Sequence, residues 1–207
     1  MFPLGVLKKP PFVGTALDID TTVFPFLDKT GRHLIANSGV TLLLGAAHFP
    51  NNTQSSTNYL RITDNPLDFK GNYIVRGFKI TMVFKLDGFP SSDNILFRLK
   101  NVGNSTISDF YVKSSGAFVY WNQLSSYISA TGLIQVGIEY TLEVISIGST
   151  IRIYLNSILL TTNILGVSPT GREINIGALT IGFGGYPSFN GYGFQGSLSQ
   201  FKYDITY

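Results

Sequence analysis

The chain contains no cysteine. That excludes a thiol nucleophile, a disulfide framework and any cysteine-ligated metal. Charge is also scarce: Asp, Glu, Lys and Arg make up 13% of 207 residues, about half the usual quarter for soluble domains. The 15 Lys and Arg against 12 Asp and Glu leave a net charge of +3. Lys8-Lys9 is the densest basic cluster, whereas nucleic-acid binding wants a concentrated patch or stripe, so no nucleic acid is expected as a partner. Histidine is limited to His33 and His48, which do not make a zinc site. No apolar run reaches the ~18 residues of a membrane span, so no membrane insertion is expected. The opening, MFPLGVLKKPPFVG, carries its charges after its apolar residues and is broken by prolines, which is not the pattern of a secretory signal. Gly-x-Ser-x-Gly, a phosphate loop and a dinucleotide fingerprint are absent.

What the chain does have is alternation. In GSTIRIYLNSILLTTN, residues 148–163, Ile151, Ile153 and Leu155 alternate with Arg152, Tyr154 and Asn156, the two-residue period of a strand with one face in a core. Asn156-Ser157 suits a tight turn, because Asn tolerates the left-handed backbone region. The stretch therefore predicts a hairpin in the middle of a sheet. Phe78 to Leu86 alternates as cleanly, and Phe110–Lys113 with Ala117–Trp121 predicts another hairpin around Ser114-Ser115-Gly116. About twelve to fourteen short strands follow one another at intervals of roughly 8–12 residues, with no convincing helix. That pattern predicts an all-β fold, a two-sheet antiparallel sandwich. Residues 1–16 read instead as an extended N-terminal arm, since Pro3, Pro10 and Pro11 forbid regular pairing. Its apolar residues Phe2, Leu4, Val6, Leu7 and Phe12 need cover. Either they strap the parent sandwich or they dock on a neighbour as an assembly arm. Residues 17–207 form the sandwich domain.

The order of segments resembles the laminin-G-like, concanavalin-A-like jelly roll. FLDKTGRHLIANSGVTLL at 26–43 is similar to that family's opening Asp-x-Ser-Gly-x-x-His segment. STNYLRITDNPLDF at 56–69 and FKITMVFKLD at 78–87 resemble two of its strands. IRIYLNSILL at 151–160, INIGALTIGFGG at 174–185 and FQGSLSQFKYDITY at 194–207 resemble its later ones. Met82-Val83-Phe84 stands where a Trp is usual, and Asn156-Ser157 replaces Asn-Gly. The resemblance implies two antiparallel sheets, one of them concave. Its members include carbohydrate-binding modules, adhesion domains, some glycosidases and many phage virion proteins, so it leaves activity open.

Glu139 and Glu143 share a strand face with Thr141 between them. Glycosidases of the resembling family carry Glu, Asp and Glu along one strand, so the motif is incomplete here. Two acids four residues apart are ~13 Å apart along a strand, far more than a retaining pair needs. Two solvated acids on an outer face is the plainer reading, and no enzyme is expected. Calcium takes carboxylate and carbonyl oxygens, and Asp87, Asp93 and Asn94 could supply them. Asp18 with Asp20, and Asp64 with Asp68, are further sets, although loop acids more commonly form turns. No other cofactor is expected. Tyr120, Trp121, Tyr127, Tyr186, Phe189 and Tyr192 are the aromatics expected to be partly exposed. Flat rings flanked by amides suit sugar recognition, which singles out Trp121, Asn122, Gln123, Tyr186, Asn190 and Tyr192 as ligand-binding candidates. Core packing and a subunit interface are the competing readings.

The missing signal, the absent cysteines, the low charge and the apolar arm together resemble a bacteriophage virion component. The expectation is a non-enzymatic structural or adhesion protein of the virion, an accessory capsid, neck or tail part. Its partners would be other virion proteins or copies of itself, with host-surface glycan as a ligand. A free lectin module is the alternative, and a divergent glycoside hydrolase the second.

Overall fold

The computed structural model describes residues 14–50, 58–63, 77–89, 93–101, 106–122, 125–148, 150–164, 171–177 and 193–206. The arm residues Phe2, Leu4, Val6, Leu7 and Phe12 lie outside them. Sixteen strands are present among the described residues. The first six are β1 (Gly14–Asp20), β2 (Leu27–Asp28), β3 (Leu34–Ser38), β4 (Thr41–Leu43), β5 (Ala46–Phe49) and β6 (Tyr59–Thr63). Then come β7 (Phe78–Leu86), β8 (Asn94–Asn101), β9 (Thr106–Val112), β10 (Phe118–Asn122) and β11 (Ser126–Ile128). The last are β12 (Glu139–Ile147), β13 (Thr150–Leu155), β14 (Ile158–Ile164), β15 (Gly171–Ile176) and β16 (Gly196–Ile205). β1 thus begins three residues inside the segment that sequence assigns to the arm.

The strands form two antiparallel sheets, the expected sandwich. The first has the order β14-β13-β12-β7-β16-β1-β2, with β5 also on β16 and β4 on β5. The second has the order β11-β10-β9-β8-β15-β6-β3. The hairpin β13–β14 is real but is not in the middle of its sheet: β14 is an edge. β7 is central instead, flanked by β12 and β16. Its burial alternates strictly along Phe78–Leu86, which is why its pattern is the cleanest in the sequence.

Cross-strand register builds the core in lines. In the first sheet Leu155, Leu142, Met82, Phe201 and Ile19 are successive partners. In the second, Tyr120, Phe110, Phe97, Ile176 and Leu60 are. All are buried. Phe97 stacks on Phe110 at 4.3 Å between ring centroids and meets Phe201 of the other sheet edge-on at 5.5 Å. Such pairs add about 1 kcal/mol each beyond area burial. At the end of the sandwich, Gly14 is opposite Ile205, so the first and last strands are neighbours.

The DKTGRH segment closes the β2–β3 connection around one carboxylate. Asp28 Oδ1 accepts from the backbone N–H groups of Asp18 and Thr30, both at 3.0 Å. Oδ2 accepts from the Thr30 hydroxyl at 2.6 Å and from the N–H groups of Arg32 and His33 at 3.1 and 3.0 Å. Gly31 supplies the left-handed residue the turn requires, at φ 68°. His33 is spent here too, with Nε2 3.0 Å from the carbonyl of Ala16.

Two hairpins use two-residue turns with both central residues at positive φ, the geometry that matches strand twist. Asn156-Ser157 has φ 48° and 67°. Asn156 is well suited, since its Oδ1 also accepts from Thr141 N–H at 2.8 Å. Leu44-Gly45 between β4 and β5 has φ 52° and 75°. Leu44 has no polar group to offer there, and its left-handed backbone costs about 1 kcal/mol.

Burial works against the charge on Asp28, but the hydrogen bonds from Thr30, Asp18 and His33 outweigh it and hold its pKa below the usual carboxylate value. A depressed folded pKa gives stability that is present above the unfolded value of ~3.9 and is lost as pH falls through the folded one. Asp28→Asn should cost about 2–3 kcal/mol near neutral pH. Urea denaturation should show that gap narrowing below about pH 4, and a gap independent of pH would contradict the role given to the charge.

Candidate functional site

The pleat decides which side chains of β10 can meet a ligand. Tyr120 points into the core and is fully buried, its ring tilted against Phe110 at 5.1 Å between centroids. It is therefore not among the exposed aromatics, contrary to expectation. Burial pushes its hydroxyl above the ordinary phenol pKa, against the hydrogen bond with Asn122. Tyr127 is half-buried and packs against the same core. Successive residues of a strand face opposite sides, so Trp121 faces outward, and it keeps 39% of its surface exposed.

Asn122 turns inward again and is only 2% exposed. Its Nδ2 donates to the Tyr120 hydroxyl at 2.5 Å. Its Oδ1 accepts from the Ser125 N–H at 2.6 Å and hydroxyl at 3.2 Å. Its amide therefore holds the β10–β11 connection together, and it does not share a face with Trp121. Gln123, Tyr186, Asn190 and Tyr192 lie outside the described residues, as does Phe189.

What stands beside Trp121 is a pair that the sequence does not advertise. Trp121 is directly opposite Asp109 on β9, and Asp109 is opposite Arg98 on β8. Arg98 Nε donates to Asp109 Oδ1 at 2.5 Å and Nη2 to Oδ2 at 2.7 Å. This two-pronged geometry is the strong form of the guanidinium–carboxylate contact. The two are 8% and 7% exposed. One step along the strands, Ile95, Tyr111, Val119 and Ile128 are partners on the same outward face. Ile95 and Val119 are buried at 2% and 1%, while Ile128 is 56% exposed. The outer face of this sheet thus carries a flat ring, a fixed ion pair and an apolar shoulder. The exposed ring offers an aromatic surface for the C–H face of a sugar, and the buried pair beside it fixes the strands that present that ring. The signal was present as a lone Arg in ILFRL and a lone Asp in SDFYV, each interrupting an apolar strand.

The calcium candidates are distributed differently. Asp87 is exposed and its Oδ2 is 3.2 Å from His48 Nε2. Asp93 is half-buried, and desolvation raises its pKa against the pull of Lys113. Asn94 is fully buried, its Oδ1 accepting weakly from the Gln195 N–H at 3.4 Å while its Nδ2 donor has no partner. A raised carboxyl pKa and an unfilled donor are the reverse of what a cation site presents. Among the described residues no three of His, Cys, Asp and Glu are grouped as metal ligands.

The two glutamates of β12 lie on the outer face of the other sheet. Glu143 pairs with Lys79, and Glu139 Oε2 accepts from the Ser199 hydroxyl at 3.1 Å. Tyr140, Leu142 and Val144, which alternate with them, face the core.

No family model matches the chain, and no curated protein matches it in sequence. Solved structures do share the fold. A structure of botulinum neurotoxin type C, from work on its interaction with two ganglioside molecules, aligns with TM-score 0.67 at 14% identity, over 92% of this chain and 47% of that one. The botulinum neurotoxin DC binding domain in complex with rat synaptotagmin II aligns with TM-score 0.65 at 11% identity, over 92% and 48%. Trypanosoma rangeli sialidase in complex with sialic acid aligns with TM-score 0.70 at 11% identity, over 95% and 31%. The chain spans less than half the length of each of these proteins. At such identities the likeness is one of architecture: a β-sandwich of the jelly-roll kind.

Removing one partner of a buried ion pair leaves an uncompensated charge. Asp109→Ala should therefore destabilise the fold by about 3–5 kcal/mol, and Arg98→Met combined with Asp109→Leu should recover most of it. Denaturant titration of the single and double variants checks this, and a loss under about 1 kcal/mol in Asp109→Ala would place the pair in effectively open water.

Proposed function

We propose that this chain is a non-enzymatic binding module that recognises glycan on the outward face of the β8–β9–β10 sheet, with Trp121 as the stacking platform. The observation that carries the proposal is the row Trp121, Asp109, Arg98, in which an exposed ring adjoins a fixed carboxylate–guanidinium pair. Trp121 supplies the apolar contact. Asp109 and Arg98, held to each other and only 7% and 8% exposed, fix the register of the strands that present the ring. Support also comes from architecture, since proteins of the same fold include one studied with gangliosides and one bound to sialic acid. Those ligands belong to those proteins and name only a class here.

The same inventory supports the non-enzymatic reading. Glu139 and Glu143 are engaged by Ser199 and Lys79 on a different sheet from Trp121, and Thr141 occupies the middle position of the acid triplet. Within the resemblance of the whole chain, the role is adhesion on a bacteriophage particle, with the sandwich projecting from virion proteins or from further copies of itself.

A glycan array probed with the full chain should give saturable binding, and Trp121→Ala should weaken it by about tenfold or more. The half-exposed site predicts an unchanged melting temperature for that variant. Failure of the wild-type chain to bind any glycan, or binding indifferent to Trp121→Ala, would sink the proposal.

A further inference from the structure

The β4–β5 hairpin contains an anomaly that neither the fold nor the glycan face uses. Its turn is Leu44-Gly45, with Leu44 at φ 52°. Left-handed backbone is uncommon for any residue but Gly, Asn and Asp, and is unfavourable for a branched apolar one. Leu44 is also 98% exposed. Among the described residues no packing compensates for either feature. The equivalent turn at 156–157 carries Asn, so the same backbone problem has a polar solution elsewhere in this molecule.

The neighbours of Leu44 extend the patch. Leu43 and Leu42 are 50% and 38% exposed. Leu42 is opposite Ala47 and Leu43 opposite Ala46, so the two point to opposite faces of the hairpin. The tip is therefore apolar on both sides and at its end. A second turn reaches the same place. Ala47 pairs with Leu198 of β16, while the Thr21 hydroxyl donates to the carbonyl of Ser199 at 2.8 Å. The turn that follows Thr21 presents Val23 at 40% and Phe24 at 59% exposure. Two turns that leave consecutive positions of β16 thus expose five large apolar residues. Between Asp20 and Asp28, and again between Arg32 and Arg61, no Asp, Glu, Lys or Arg occurs.

From this we infer that the edge formed by Val23, Phe24, Leu42, Leu43 and Leu44 docks into the interfacial region of a lipid bilayer. A flat protein surface would cover one face of the hairpin and leave the other in water. A medium that surrounds the tip covers both faces and the turn. The charge-free segments on either side enter it without desolvating an ion, and the backbone of the tip is already paired in its hairpin. With no cation in the patch, the affinity is for uncharged lipid. Docking is superficial: no helix among the described residues is long and apolar enough to cross a membrane. The inference is independent of the glycan face, which lies on the other sheet.

The test is flotation of the full chain with glycan-free phosphatidylcholine vesicles, for the wild type, Leu44→Asn and Phe24→Ser. Asn fits the left-handed turn better than Leu, so Leu44→Asn should melt no lower than the wild type, and a loss of binding cannot be put down to unfolding. The wild type should float, and each variant should partition roughly tenfold less. Wild-type chain left at the bottom of the gradient overturns the inference. So does flotation that neither substitution weakens. A wild type that ignores vesicles but forms a dimer split by Leu44→Asn overturns it too, and assigns the edge to a second copy of the chain.

Discussion

The contact on which the rest depends is the meeting of Phe97 and Phe201 across the two sheets, extended by Phe110 and Tyr120 along the second. A strand has no freedom to choose the face of one residue without fixing all the others. Once Tyr120 is committed to the core, Trp121 must face out and Asn122 must face in. Once Phe97 and Phe110 are committed, Arg98 and Asp109 must face out and fall opposite each other. The exposed ring and the buried ion pair are side by side because an aromatic line on the other face fixes their register. A slip of one residue in β9 would break the row without altering a single residue in it.

This explains how far the sequence was legible. Alternation reports a face relative to a core, and it found β7, β12 and β13 because each has a single buried side, while β14 was read from the turn at Asn156-Ser157 and its branched residues. It did not report position within a sheet, so the hairpin read as central although β14 lies at an edge. The β9–β10 hairpin was legible, but the face of Tyr120 was not, because Phe118, Val119 and Tyr120 are all buried and leave no alternation to read. Composition suggested that Trp121, Asn122 and Gln123 act together, because ring and amides are adjacent in sequence. Adjacency in a strand means opposite faces, and the cross-strand partners of Trp121 are Asp109 on β9 and Ser126 on β11, with Arg98 of β8 one strand further on. The partner of a charged residue across a sheet is set by register, which no local pattern contains.

Asp28 shows the complementary case, in which chemistry was local and therefore readable. Five donors converge on its carboxylate, and four of them come from the segment 30–33 and the Thr30 side chain within it. A short motif can carry such an arrangement intact through extensive divergence. The fifth donor, Asp18 N–H, ties that loop to β1. The motif therefore fastens the edge of one sheet to the beginning of the other.

The pairing of Gly14 with Ile205 bears on how the module would respond to load. Tension applied through the two ends of the sandwich would pull the two partners of the β1–β16 ladder directly apart. Its hydrogen bonds would open in sequence from that end, each bearing the force alone, as in a zipper. A ladder loaded in shear would resist with all its bonds at once. Held from both ends, this sandwich yields gradually; held from one, with the load on the face of Trp121, it keeps its ladder out of the line of force.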